Sequence, residues 1–171
     1  MAKLIILNNE YDSITALKNV SDYVSYRSKS NGLVGAQNIL LDSNIEHLTA
    51  VNRYFYDNTK KKVIHFIIAF APYDCISPTE ALFEGYKICE LLPQYQIQFG
   101  VHQNTDDLHI HFAMNPISLY DGRKFYFDRK NLLDFISKLR EIFKPYEINI
   151  NYRFSDNSND FSFSEQLTQS G

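Results

Sequence analysis

Two segments of alternating polarity, separated by a tight turn, constrain the fold of this chain most strongly. In residues 95–102 apolar side chains occupy every second position, and the same period resumes in residues 109–115. A period of two is typical of a β-strand whose two faces meet different surroundings. The four residues 104–107 (NTDD) have the composition of a turn. We therefore predict an antiparallel hairpin.

Three of the five histidines lie on this hairpin. His109 and His111 are two residues apart, so both project from the same side of their strand. A turn of four residues places His102 opposite His109. Gly100 then lies opposite His111, which leaves open space beside that imidazole. Three neutral imidazoles that converge in this way, with one open coordination position, suit a catalytic divalent metal ion. The alternative is a set of histidines on the solvent side of the hairpin.

The other segments predict an α+β fold with an antiparallel-rich central sheet and helices packed mainly on one face. Residues 62–71 are almost uninterruptedly apolar and predict a central strand buried on both faces. The glycines of residues 28–35 predict a loop. Further strands are predicted at residues 3–8 and 147–154, a smaller hairpin at 117–127, and helices at 13–24, 43–59, 77–92 and 128–143.

Length and composition favour one domain without a membrane segment. The chain has 171 residues, and the polar composition after residue 154 predicts a single domain over 1–154 and a disordered tail over 155–171. No apolar run approaches the length of a membrane helix, and residues 1–9 do not have the features of a signal peptide, so a cytoplasmic location is expected. The net charge of −3 argues against a protein that coats nucleic acid nonspecifically.

A histidine, a turn and an H-x-H-x-x-x-N strand follow one another in residues 102–115 (HQNTDDLHIHFAMN). This segment resembles the third motif of the HUH-superfamily DNA relaxases of the mobilisation-nuclease family. The resemblance extends over roughly residues 4–143, because other segments resemble further parts of that family in the right order. These are ALKNVSDYVSY (16–26), NGLVGAQN (31–38), IHFIIAFAP (64–72), ISPTEAL (76–82) and NPISLYDGRKF (115–125).

The resemblance implies an HUH relaxase-like fold, built on a ferredoxin- or palm-like sheet, and a defined activity. Such an enzyme nicks one DNA strand at an origin of transfer, leaves a tyrosine joined to the 5′ phosphate and frees a 3′ hydroxyl. Tyr23 matches the nucleophile position, and Tyr26, one turn further on, is the second candidate. The histidines at 102, 109 and 111 match the ligands of a divalent metal, Mn²⁺ or Mg²⁺.

Several polar residues are expected around the ligands. Family members usually carry an acid where this chain has Asn104, and Asp106 or Asp107 is the candidate to replace it. Asn115 matches the polar residue that ends the H-x-H strand. His65 is expected to be a buried strand histidine whose side could face the metal. Such residues orient metal-bound imidazoles.

Basic residues near the motifs are expected to contact the DNA backbone, which positions a strand without reading its sequence. They are Arg27, Lys29, Arg123 and Lys124. The expected partner is single-stranded or hairpin DNA at an origin of transfer, together with accessory DNA-binding and coupling proteins. Two other interpretations stay open: a rolling-circle replication initiator with the same chemistry, and a degenerate relaxase-like module that binds DNA without nicking it.

Overall fold

A six-stranded mixed sheet organises the computed structural model, which describes residues 1–55, 60–103 and 107–156. The strand order is β2-β4-β5-β3-β1-β6, and among the described strands every neighbouring pair is antiparallel except β1 with β6. The predicted α+β class and antiparallel-rich sheet are confirmed. The strands are β1 (Ala2–Leu7), β2 (Val34–Gln37), β3 (Ile64–Ala69), β4 (Ile97–His102), β5 (His109–Met114) and β6 (Ile150–Ser155).

The central hairpin has the predicted register. In β4 and β5, His102 pairs with His109 and Gly100 pairs with His111. Strand β3 lies on the other side of β5, and all six of its residues are buried, as predicted for a central strand. Three strands therefore carry histidines side by side, since His65 lies on β3. Residues 104–106 of the predicted turn lie outside the described residues.

Side-chain caps begin three of the five described α-helices. The helix that begins at residue 44 has no side-chain cap, and the helical turn at 27–30 overlaps the segment predicted as a loop. The helices are α1 (Ile14–Val24), the single turn α2 (Arg27–Ser30), α3 (Asn44–Tyr54), α4 (Pro78–Glu90) and α5 (Arg129–Phe143). Ser13 accepts a hydrogen bond from the Ala16 amide at the start of α1. Ser77 and Glu80 form a complete capping box before α4.

Helices cover both faces of the sheet, but unequally. The two longest, α4 and α5, pack on a face built around the aromatic rings of Phe66, Phe99 and Phe112. The opposite face carries the histidines and is covered by α1 and α3, whose Leu17 and Leu48 pack with Ala113 of β5. Helices packed mainly on one face were predicted, and the structure places α1 and α3 on the histidine face as well.

Two further segments differ from their predictions. The glycine-containing segment predicted as a loop includes strand β2, which pairs with β4 at the edge of the sheet. Gly35 is required there, because a Cβ at this position would overlap the ring of Phe99. The second hairpin is reduced to one bridge between Ile117 and Lys124. Strand β6 extends through Ser155, and the predicted tail from 157 to 171 lies outside the described residues.

Helix α1 sits unusually close to the hairpin at its C-terminal end. A Cβ at Gly100 would overlap the backbone carbonyl oxygen of Val24, so only glycine allows this approach. A buried polar cluster holds the same contact, since the Ser21 hydroxyl donates to Gln98 Oε1 at 2.7 Å and Gln98 Nε2 donates to the Ser21 carbonyl at 2.9 Å. Asn44 Nδ2 donates to both side chains and ties α3 to them. The cluster fixes where the last turn of α1 lies.

Replacing Gly100 with alanine tests this close approach. The added methyl group meets a backbone oxygen that cannot rotate away, so α1 must shift, and we expect a loss of about 1–3 kcal/mol in the free energy of unfolding. Chemical denaturation measures the loss. Gly32→Ala is the control, because it lies in open space and its positive φ makes the substitution strained without displacing α1. Wild-type stability in Gly100→Ala would contradict the proposed packing.

Candidate active site

The three hairpin histidines are buried between the sheet and α1. His102, His109 and His111 have exposed fractions of 1%, 2% and 0%. The ring centroids of His102 and His111 lie 4.3 Å apart, and those of His109 and His111 lie 5.5 Å apart. These rings are therefore not on the solvent side of the hairpin, which was the alternative interpretation.

Tyr23 lies beside these imidazoles, as the resemblance implied. Its ring centroid is 5.4 Å from that of His102 and 5.2 Å from that of His111, in edge-on contacts. The ring is half-buried, whereas the side chain of Tyr26 is 56% exposed. Lys29 Nζ lies 3.9 Å from the Tyr23 ring centroid, on the face of the ring. Of the two candidate tyrosines, Tyr23 is the one placed in contact with the histidines.

Burial determines the protonation states of these groups. It raises the pKa of Tyr23 to about 12, so the phenol is neutral near pH 7 and harder to ionise than in water. It lowers the pKa of His102 to about 4 and that of His111 well below its ordinary value. The imidazoles are therefore neutral, which is the form that ligates metal ions.

Hydrogen bonds fix two of the rings. His102 Nε2 donates to the Val24 carbonyl oxygen at 2.9 Å, at the end of α1. His111 Nδ1 and His65 Nε2 lie 3.1 Å apart in a buried hydrogen bond. His65 Nδ1 in turn is 3.3 Å from the hydroxyl of Tyr11. His65 thus contacts His111 directly. The sequence predicted a buried strand histidine whose side could face the metal.

Three neutral imidazoles have the chemistry of transition-metal ligands, but the rings do not have the geometry of a formed metal site. Among the described residues, no group of three or more histidine, cysteine, aspartate or glutamate side chains is arranged to hold a metal as it stands. The hydrogen bonds nevertheless indicate which ring nitrogens remain for a metal ion, because they engage Nε2 of His102 and Nδ1 of His111. The other ring nitrogens, Nδ1 of His102 and Nε2 of His111, are the atoms that would hold an ion.

The remaining predicted site residues divide into near and distant groups. Asp107 lies beside His109, since its carboxylate opposes the lowering of the His109 pKa that burial causes. Lys29, predicted to touch the DNA backbone, is at the tyrosine itself. The side chain of Arg27, and both Asn104 and Asp106, lie outside the described residues.

Three predicted residues lie at the far end of β5. Asn115 donates to Gln96 Oε1 at 3.0 Å and accepts from the Ile117 amide, so it organises the chain after the strand. Arg123, 88% exposed at its side chain, pairs with Asp121, and Lys124 is in the same turn. The length of β5 separates this end from His109 by roughly 17 Å.

Two features of the site were missed by sequence reasoning. Tyr11 precedes α1 in a segment with no periodic pattern, and no motif singles it out from the other eleven tyrosines. The cluster of Ser21, Gln98 and Asn44 joins three distant segments of the chain. The alternation in β4 did place Gln98 on the histidine face, which was the one available signal.

An α+β sheet whose H-x-H strand lies beneath a helical tyrosine points to the class of DNA-relaxase nuclease domains. Residues 21–148 match the family described as "Relaxase: MobA/VirD2-like, nuclease domain", and the chain belongs to this family. The matched range includes Tyr23, His65 and the hairpin histidines.

A curated relative is similar over most of the chain. It is "Protein rlx" of Staphylococcus aureus, 27% identical over 139 residues that cover 80% of this chain and 42% of the relative. The chain therefore spans about two fifths of the length of the curated relative it matches. No solved structure matches the chain. Among the described residues, none of the helices has the length and apolar character needed to cross a bilayer.

The buried histidines predict a pH-dependent stability. Burial lowers the pKa of His65 to about 3 and that of His102 to about 4, against about 6.5 in the unfolded chain. Between these values the unfolded chain binds protons that the folded chain does not. The histidines therefore do not lower the free energy of unfolding above pH 6.5, and they lower it progressively as the pH drops towards 4. Chemical denaturation across this pH range measures the slope.

Substitutions separate the histidines from the carboxylates that also titrate in acid. His102→Gln removes one contributing group and is expected to flatten the slope between pH 6.5 and 4. The wild type, measured in the same buffers, is the reference for this comparison. An equal slope in wild type and His102→Gln would show that His102 is not kept neutral by the fold.

Proposed function

We propose that this domain nicks one strand of DNA at an origin of transfer by transesterification, with Tyr23 as the nucleophile. The observation that carries the proposal is the contact of the Tyr23 ring with two buried imidazoles, at centroid distances of 5.2 and 5.4 Å. The proposed product is a 5′-phosphotyrosine and a free 3′ hydroxyl, which serves mobilisation of a plasmid or integrative element.

The reaction exchanges one ester bond for another. The Tyr23 oxygen forms a bond to phosphorus while the bond from phosphorus to O3′ breaks, the phenol proton leaves, and O3′ takes up a proton. Because no bond to water is made, the energy of the phosphodiester is retained in the tyrosine ester and the strand can be rejoined. The raised pKa of Tyr23 means that the phenol needs help to ionise.

The three hairpin histidines are proposed to hold a divalent ion. Such an ion, when bound, favours the ionised phenol and stabilises charge on the phosphate oxygens. Neutral imidazoles suit Mn²⁺ and other transition metals better than Mg²⁺, so Mn²⁺ is the expected ion in vitro. His102, His109 and His111 are the proposed ligands. The Asp107 carboxylate, whose charge opposes the lowering of the His109 pKa, is proposed to orient His109.

Lys29 is proposed to bind the scissile phosphate. Its ammonium group lies over the Tyr23 ring, so a phosphate in line with the phenol oxygen passes close to this positive charge. Arg27, two residues earlier in the sequence, is proposed to add a further contact with the DNA backbone. Arg123 and Lys124, at the other end of β5, are proposed to contact a more distant part of the DNA. Accessory DNA-binding and coupling proteins are proposed partners.

A covalent-adduct assay tests the nucleophile. The protein is incubated with labelled single-stranded DNA that contains its own origin, with Mn²⁺, and the adduct is resolved on a denaturing gel. Tyr23→Phe is expected to reduce the adduct below detection, because phenylalanine has no nucleophilic oxygen. Tyr26→Phe, the matched control three residues further along the chain, should retain it, and a chelator should abolish the wild-type reaction.

The possible outcomes separate the competing interpretations. DNA binding without any adduct in the wild type would favour a binding-only module over a nuclease. An adduct that persists in Tyr23→Phe and disappears in Tyr26→Phe would transfer the role to Tyr26. A rolling-circle replication initiator gives the same adduct, and a replication origin in place of a transfer origin as the preferred DNA would identify it.

Removing the charge at Lys29 tests the phosphate contact. Lys29→Gln is expected to slow adduct formation by about 10- to 100-fold, the effect of losing one hydrogen bond to a charged group. Lys18→Gln makes the same change in charge at an exposed position on α1 and should leave the rate near the wild-type value. Equal rates for the two variants would exclude a role for Lys29.

A further inference from the structure

A chain of two hydrogen bonds runs from the partly buried Tyr11 to the proposed metal ligands. The Tyr11 hydroxyl lies 3.3 Å from His65 Nδ1, and His65 Nε2 lies 3.1 Å from His111 Nδ1. His65 and His111 are neighbours on adjacent strands, and both rings are almost completely buried. The arrangement connects the loop before α1 to the centre of the histidine cluster.

Each of the two neutral rings carries one proton, so the direction of one hydrogen bond determines the other. If His65 Nε2 donates, His111 Nδ1 accepts and the proton of His111 is on Nε2, where it prevents metal ligation. If His111 Nδ1 donates, His65 Nε2 accepts, and the proton of His65 is on Nδ1, facing Tyr11. Only the second arrangement gives His111 a lone pair on Nε2.

We infer that Tyr11 and His65 are positioning residues that hold His111 in the tautomer able to bind a metal ion. In this arrangement His111 Nδ1–H donates to His65 Nε2, and His65 Nδ1–H donates to the Tyr11 oxygen. The inference rests on the proposed metal site. It adds a function for two residues that do not touch the ion, and one of them, Tyr11, has no counterpart among the residues that sequence reasoning selected.

The backbone at Tyr11 supports a fixed position for its hydroxyl. Its φ of 44° lies in the left-handed region, which a bulky aromatic residue rarely adopts. The Tyr11 carbonyl accepts a hydrogen bond from the Lys62 amide at 2.8 Å, just before β3, and Tyr11 packs against a buried cluster formed by residues of β1 and β3. Residues held in such conformations concentrate at functional sites because their surroundings enforce them.

Nitrogen NMR of the ¹⁵N-histidine-labelled wild-type protein tests the hydrogen-bond directions without any substitution. Long-range ¹H–¹⁵N correlations distinguish a ring protonated on Nδ1 from one protonated on Nε2. We expect both His65 and His111 to be protonated on Nδ1, in the metal-free protein and with Zn²⁺, a diamagnetic probe. A proton on Nε2 of His65 in the folded protein would overturn the inference.

Metal affinity provides the second readout, measured as Mn²⁺ binding by calorimetry. His65→Leu removes the acceptor and is expected to weaken binding about 10- to 100-fold. His65→Gln offers an amide oxygen to His111 Nδ1 and should recover most of that loss. Tyr11→Phe should weaken binding severalfold, whereas Tyr146→Phe, which loses one tyrosine hydrogen bond on the other face of the sheet, should not.

Failure of the inference and failure of the proposed function give different results. If the wild type binds no Mn²⁺ or Zn²⁺, the proposed metal site fails, while the tautomers in the metal-free protein still decide the hydrogen-bond directions. If the wild type binds Mn²⁺ and His65→Leu binds it equally well, the positioning role is excluded and the metal site stands. Thermal unfolding of each variant identifies any that do not fold, and the wild-type NMR result is independent of them.

Discussion

The site depends on how closely the C-terminal turn of α1 approaches the β4–β5 hairpin. Gly100 removes the side chain that would keep the two apart, and the Val24 carbonyl oxygen then accepts a hydrogen bond from His102. The helix end is at the same time tied to β4 by the buried contacts of Ser21 with Gln98. Tyr23 lies between these two attachments, so its ring has little choice of position. In the proposed role of nucleophile, Tyr23 would already be held in place before the DNA binds, which reduces the entropy cost of reaching the reactive geometry.

Burial gives this geometry its chemical character. The same covering helix that places Tyr23 also removes water from the histidines, and it therefore keeps the imidazoles neutral and the phenol protonated. Neutral imidazoles can ligate a metal, but a protonated phenol cannot attack phosphorus. The proposed ligands and the proposed nucleophile are thus held in their neutral forms, with only the Lys29 ammonium beside the phenol. If the proposed ion supplies the further positive charge that ionises the phenol, little nicking is expected without metal.

The hairpin register and the histidine face could be predicted because a period of two leaves no freedom once the turn length is known. The starts of helices α1 and α4 could also be predicted from the sequence, since Ser13 and the Ser77–Glu80 pair are local capping signals. The covering of the histidine face was not predictable from local pattern. Polar residues such as Gln98 suggest solvent, and only the distant partners Ser21 and Asn44 show that they are satisfied in the interior. Tyr11 was missed for the same reason: its significance comes from His65, 54 residues away, and from a backbone conformation that no motif records.

Identification of the residue that carries the DNA phosphate tests the central claim most directly. After the nicking reaction, the covalent complex is digested with nuclease and trypsin, and the modified peptide is sequenced by tandem mass spectrometry. Trypsin cleaves after Lys18 and Arg27, so Tyr23 and Tyr26 fall on one peptide, NVSDYVSYR, and fragment ions separate them. The account predicts a phosphonucleotide on Tyr23 alone. A phosphonucleotide on any other tyrosine, Tyr11 and Tyr26 included, would contradict it.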